Sequence, residues 1–234
     1  MQKNTPRGTA AGEMPRGTAA GVSFFDVDHT LTRRPSGSRF VLLAMRRGVL
    51  PRHLLLIIGW YSLLYRLGTM KLRTKEAGLP ALRGLRREAL ESIARESFER
   101  WLKGDIYPGA IALVRKLQSE GRRVMLATSS IDFIVAPLAL YLGIEGVLAT
   151  TLEFQQGACT GRLVGSPMFR GEKKNVVLAW LAANGVAPED CSFYSDSAYD
   201  LPLLEAVGHP VAVNPDGRLR RVARARGWQI IMLS

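Results

Sequence analysis

With 234 residues, 47% of them hydrophobic, the chain can bury one substantial core, or a core and a smaller insert, and disorder of the whole is excluded. Against 20 Asp and Glu stand 32 Lys and Arg, a formal charge of +12, so anionic ligands are favoured by long-range attraction. The two cysteines, Cys159 and Cys191, match no zinc spacing and offer no disulfide framework, and no apolar secretion signal opens the sequence; a reducing cytoplasm is the expected location.

Residues 1–21 repeat PRGTAAG at 6–12 and 15–21 and hold few large apolar side chains. Such a segment cannot offset its ordering entropy by burial, so a disordered tail is expected, and translation starting at Met14 would shorten it. Order is expected from Val22, where VSFFD reads as a buried parallel strand ending in a carboxylate. A long stretch rich in Leu and Arg follows, with helical periodicity over 86–101 and no strand signal. This predicts a helical insert over 34–105 in an α/β core of 22–33 and 106–234. Residues 33–105 carry 16 basic and 6 acidic side chains, so 16 − 6 = +10 of the net charge lies there. The most apolar run, 53–67, is interrupted by Gly59 and Ser62 and falls short of the ~20 residues that span a bilayer, so a buried or interfacial helix is expected.

Beyond Pro108 the pattern alternates. Helices are predicted over 110–120, 132–142 (closed by Gly143), 173–184, 201–207 and 217–226. Strands are predicted over 123–127, 147–150, 192–195 and 211–213, and a hairpin over 152–163 turning near Gln156 and Gly157. Such alternation indicates a doubly wound, Rossmann-like parallel sheet, in which ligands bind beyond the carboxyl ends of the strands.

Four clusters fall at those ends. In DVDHT, Asp26 supplies a nucleophile, Asp28 a candidate acid and base, and Thr30 a hydroxyl that fixes the loop. In RVMLATSS, the Thr128 hydroxyl and the amides after it can donate to phosphate oxygens, with Ser129 beside it. In GEKKN, Lys173 and Lys174 open a helix, where an amine can reach an anion. In FYSDSAYD, Asp196 sits at a strand tip with Asp200 four residues on. Each pattern alone is common in caps and turns; their order along the chain is not.

Taken together, the clusters resemble the haloacid dehalogenase superfamily, close to its phosphoserine-phosphatase-like branch, over about 22–233, and YSDSAYDLPLLEAVGHPVAVNPDGRLRRVARARGW is especially similar to bacterial members. The resemblance implies a phosphomonoester hydrolase working through an aspartyl-phosphate. Asp26 would be the nucleophile and Asp28 the general acid and then base. Thr30, Thr128 and Ser129 would serve the substrate side, and Lys174, by the G-E-x-K spacing, would steady phosphate and nucleophile. Asp26, Asp196 and the carbonyl of Asp28 would hold Mg²⁺, supported by Asp200. Electrostatics calls for the same parts: a carboxylate ~4 Å from a phosphate dianion meets roughly 8 kcal/mol of repulsion at an effective dielectric near 20. A divalent ion and a lysine offset it, and oxygen donors in small number suit Mg²⁺.

Departures from the family pattern bear on the substrate. Pro35 stands five residues after Thr30, where phosphoserine phosphatases carry a Glu for the substrate amine, and Ser195, Ser197 and Tyr199 replace frequent Gly and Asn. The expected partner is a small phosphorylated metabolite or a lipid-like phosphate, with weak membrane-surface contact through the basic insert. Nucleic acid is not expected, because the Arg-rich segment 218–226 lacks interleaved aromatics. Rival readings are a phosphotransferase of the same fold, a receiver domain, which would need neither the insert nor Asp28, and a basic binding protein with an inactive site.

Overall fold

The computed structural model describes residues 21–51 and 78–234. The expected tail and the apolar run 53–67 therefore lie outside the described residues, Gly21 apart. Six parallel strands form one sheet in the order β3-β2-β1-β6-β7-β8. They are β1 (Val22–Phe25), β2 (Arg123–Ile131), β3 (Gly146–Thr150), β6 (Ser192–Ser195), β7 (His209–Val213) and β8 (Gln229–Ile231). A separate antiparallel hairpin joins β4 (Leu152–Gln155) to β5 (Ala158–Leu163). The doubly wound α/β expectation is met, and the direction of winding reverses beside β1, which pairs with β2 on one side and β6 on the other.

Every residue of β1 is buried, because a central parallel strand is covered on both faces and reads as a continuous apolar run. Val22 and Phe24 face a cluster with Phe193, Ala212, Val177 and Leu181. Phe25 faces the opposite cluster with Leu126, Val114 and Leu138, and stacks on Tyr194 at a centroid distance of 4.1 Å. Each such Phe contributes about 1.5–3 kcal/mol by leaving water. The helices that cover these faces are, in chain order, α3 (Pro108–Ser119), α4 (Asp132–Leu142), α5 (Gly171–Ala183), the short α6 (Leu201–Leu204) and α7 (Gly217–Arg226). Gly143 closes α4 at φ 65°, and Asp216 caps α7 by accepting from the amides of Arg218 and Leu219.

Among the described residues of the expected insert lie α1 (Ser36–Arg46) and α2 (Arg87–Ser97), the latter continued by a π-helical turn over Phe98–Leu102 and a last helical turn at Lys103–Asp105. α2 buries Leu90, Ile93, Ala94 and Ser97, a helical three-and-four spacing. Their apolar cluster also takes in Phe133 and Ile134 at the start of α4, and Leu152 and Cys159 of the hairpin. The hairpin packs with the insert, and its turn holds Gln156 and Gly157 at φ 49° and 79°, as a tight two-residue connection requires. The chain enters and leaves the insert side by side: Arg33 N–H donates to Asp105 O at 2.7 Å and Tyr107 N–H to Leu31 O at 3.0 Å. Arg39 is ion-paired with Asp105 at 2.7 Å across this neck.

Several elements differ from the sequence reading: β2, expected over 123–127, runs on to Ile131, and β7, expected over 211–213, starts at His209. β8 was not anticipated, since three partly exposed residues carry little periodic signal. The helix expected over 201–207 is shorter, a 3-10 turn at Ala198–Asp200 followed by Leu201–Leu204, and it ends where the Ala206 N–H turns to Leu203 O at 2.9 Å, a three-residue bond that tightens the last turn.

Candidate active site

Parallel pairing carries one residue past β1: Asp26 N–H donates to Tyr194 O at 2.9 Å, which fixes the carboxylate at the strand's carboxyl end. The chain then turns sharply. Val27 O accepts from Leu31 N–H at 2.9 Å and from Thr32 N–H at 3.2 Å, with His29 in the left-handed region at φ 65°. In this turn Asp26 is buried and Asp28 partly exposed.

The lysine that meets the nucleophile candidate is Lys173, which corrects the choice of Lys174. Lys173 is 2% exposed, and its Nζ donates to Asp26 Oδ1 at 3.0 Å and Asp200 Oδ2 at 2.8 Å. Lys174, one position on and about 100° around the helix, is only partly buried. The G-E-x-K spacing misleads because the inward face of α5 carries Lys173, Val177 and Leu181, four apart.

Thr30 is also corrected. It is fully buried, and its hydroxyl is engaged with Asp196 rather than pointing to a substrate: Oγ1 accepts from Asp196 N–H at 3.0 Å and donates to Asp196 Oδ1 at 3.2 Å. The loop-fixing part of its expected role stands, and what it fixes is the carboxylate at the end of β6. Asp200 is buried and accepts from Ser195 Oγ at 2.7 Å, so it orients Lys173. Asp216 was missed. Its Oδ2 accepts from Ala198 N–H at 2.8 Å and its N–H donates to Asp196 O at 2.8 Å, which ties the Asp196 loop to α7. Its Pro-Asp-Gly context marks it as a helix cap in sequence, but not as a neighbour of the site.

The β2 end is irregular. Its register with β3 shifts between Ala127 and Ile131, and this displaces Thr128, Ser129 and Ser130 from regular pairing, as bulges beside binding sites do. Thr128 is buried, Ser129 is exposed, and Ser130 was not singled out in the sequence. Ser130 Oγ donates to Asp28 Oδ2 at 2.8 Å, and the amide of Ser36 donates to Asp28 Oδ1 at the same distance.

Lys173 lies between Asp26 and Asp200, and Asp196 stands close enough to both carboxylates to feel their charge. Burial pushes the Asp26 carboxyl up to about 7; Lys173 opposes the shift, and Asp200 and Asp28 add to it. Burial, with Asp26 and Asp200 behind it, holds Asp196 well above the usual carboxylate range. For Lys173 burial works against the charge, but Asp200 and Asp26 outweigh it and raise its pKa. Three carboxylates against one ammonium leave the pocket short of positive charge, which a divalent cation would supply. Among the described residues no three His, Cys, Asp or Glu side chains gather as a cage. Two carboxylates and a main-chain oxygen suit Mg²⁺, which keeps several of its waters, better than zinc. The site's donor set therefore fits the expected ion.

Comparison with known proteins shows the family. The sequence model of the haloacid dehalogenase-like hydrolases matches residues 23–205. The phosphoserine phosphatase SerB1 of Mycobacterium tuberculosis (strain ATCC 25618 / H37Rv) is 33% identical over 94% of this chain and 74% of its own length. A crystal structure of a protein of unknown function from Bordetella pertussis Tohama I superposes with a TM-score of 0.81 at 33% identity, covering 92% of this chain and 99% of that one. Apo phosphoserine phosphatase shares the fold at a TM-score of 0.62 and 17% identity, over 92% of this chain and 94% of its own. The chain belongs to the haloacid dehalogenase-like hydrolase family, as an enzyme of the phosphatase class. Among the described residues no helix is long and apolar enough to cross a membrane.

Proposed function

We propose that this phosphatase hydrolyses a small phosphomonoester by double displacement on Asp26, with Asp28 moving the protons. The observation that carries the reading is that two carboxylates on one turn have different partners. Asp26 is held by the ammonium of Lys173, and Asp28 by two neutral donors, Ser36 N–H and Ser130 Oγ. Carboxylates in unlike surroundings divide the roles of nucleophile and acid.

In the first step an Asp26 oxygen bonds to phosphorus, the ester P–O bond breaks, and Asp28 gives its proton to the leaving oxygen. Water then attacks the aspartyl phosphate, Asp28 takes a proton from it, and the Asp26–phosphorus bond breaks to release inorganic phosphate. Thr128 and the amides after it would hold the phosphoryl oxygens. Lys173, not Lys174, would keep Asp26 ionised and aligned. Asp26, Asp196 and the carbonyl of Asp28 would hold Mg²⁺, which when bound supplies positive charge against the charge of the transferring phosphoryl group. Thr30 and Asp200 position Asp196 and Lys173.

The substrate reading is a small phosphorylated metabolite or a lipid-like phosphate. Pro35 ends the approach to α1 and offers no side-chain carboxylate for a substrate ammonium at the position where phosphoserine phosphatases carry Glu, which weighs against phosphoserine. The test is phosphate release from phosphoserine, sugar phosphates, other alkyl phosphates and lysophosphatidate, with and without Mg²⁺, by the wild type, Asp26→Asn and Asp28→Asn. Metal-dependent turnover that both variants lose by 100-fold or more is expected. Turnover that persists in Asp26→Asn would refute the covalent route.

A further inference from the structure

Asp28 is not held by the core alone. Ser36 is the first residue of α1, and its amide, which has no partner within that helix's first turn, donates to Asp28 Oδ1 at 2.8 Å. Ser130 reaches the same carboxylate from β2 through Oγ to Oδ2 at 2.8 Å, and the hydroxyls of Ser36 and Ser130 lie 3.0 Å apart. Ser130 N–H in turn donates to Thr128 Oγ1 at 3.2 Å. One serine thus touches the acid, the first turn of the insert and the residue expected to bind the phosphoryl group. Both carboxylate oxygens of Asp28 are engaged, so its plane is set by two anchors, one in the insert and one in the core.

We infer that Ser130 is a positioning residue for proton delivery: it holds Asp28 so that the carboxyl faces the leaving oxygen, and through Ser36 it links that orientation to the placement of α1. This rests on the reading of Asp28 as general acid. With its Ser130 anchor gone, Asp28 keeps only the amide of Ser36 and can rotate about that single bond. Transfer of the proton to the departing oxygen suffers, whereas attack by Asp26 does not require it. Esters that leave as alkoxides need that proton, and p-nitrophenyl phosphate leaves without it.

The experiment compares kcat/KM, which reports steps only as far as formation of the aspartyl phosphate, for p-nitrophenyl phosphate and for whichever alkyl phosphate the wild type hydrolyses fastest. Wild type, Ser130→Ala and Ser130→Thr are measured, with melting temperature as a control of folding. The alkyl-to-aryl ratio should fall at least about tenfold in Ser130→Ala, within the ~10²–10⁴-fold range of acid catalysis, and return to within about threefold in Ser130→Thr, which keeps the hydroxyl. A ratio unchanged in Ser130→Ala, whether or not both rates fall, overturns the assignment. Should the alanine variant melt early, Ser130→Cys, close in size and a weak donor, gives the same ratio test. Failure of the underlying reading looks different: Asp28→Asn would then leave the ratio as in wild type, or Asp26→Asn would keep turnover on both esters.

Discussion

Replacing Lys173 by Met keeps the side-chain length and removes the charge, and the geometry around the amine sets the size of the effect. The amine sits 3.0 Å from Asp26 and 2.8 Å from Asp200, each an attraction of about 6 kcal/mol at an effective dielectric near 20. Burial of the ammonium offsets much of that gain, so the quantity that matters is the cost of leaving its partners buried and unpaired, about 3–5 kcal/mol. At 2–4 °C per kcal/mol for a domain of this size, the melting temperature should drop by roughly 6–20 °C. kcat/KM should fall by about 10²–10³, the cost of one lost electrostatic contact to a transition state. Lys174→Met, at a partly exposed position, should change stability by less than about 0.5 kcal/mol and activity by less than about threefold. Scanning calorimetry and steady-state kinetics on the two variants decide the matter: equal losses, or a greater loss in Lys174→Met, would refute the assignment of the lysine.

The crowding of carboxylates has two further measurable outcomes. A carboxyl whose pKa is raised by folding, as that of Asp26 is from 3.8 to about 7, adds stability below its unfolded value that is lost as pH rises through its folded value. The metal-free protein in chelator should therefore melt lower at pH 8 than at pH 5; Asp196 acts in the same direction, and added Mg²⁺ should shrink the difference. Asp26→Asn should be inactive yet melt higher than wild type at pH 8 in chelator, and a lower melting point there would contradict the charge argument. Thr30→Val removes both hydrogen bonds between the Thr30 hydroxyl and Asp196, so the Mg²⁺ concentration for half-maximal activity should rise about 10–100-fold, read from a metal titration of phosphate release.

Much of this architecture was legible in the sequence because its signals are local. The run VSFFD announces a buried strand, Gly143 a helix end, Gln156 and Gly157 a hairpin turn, and the aspartates their places at the strand ends, since each depends on neighbours a few residues away. The misreadings at the candidate site turn on contacts that span the chain. Whether Lys173 or Lys174 faces Asp26, 147 positions from Lys173, depends on how α5 packs on the sheet, and a change of one residue turns the side chain by about 100°. Thr30 finds Asp196 166 positions away, and Ser130 finds Asp28 across 102. No spacing rule carries such information. In this fold the carboxylates sit where local pattern places them, while the residues that orient them are chosen by how the strands and the insert come together. Substitutions at Thr30, Lys173 and Ser130 would therefore separate the fold's contribution to the proposed catalysis from that of the motif aspartates.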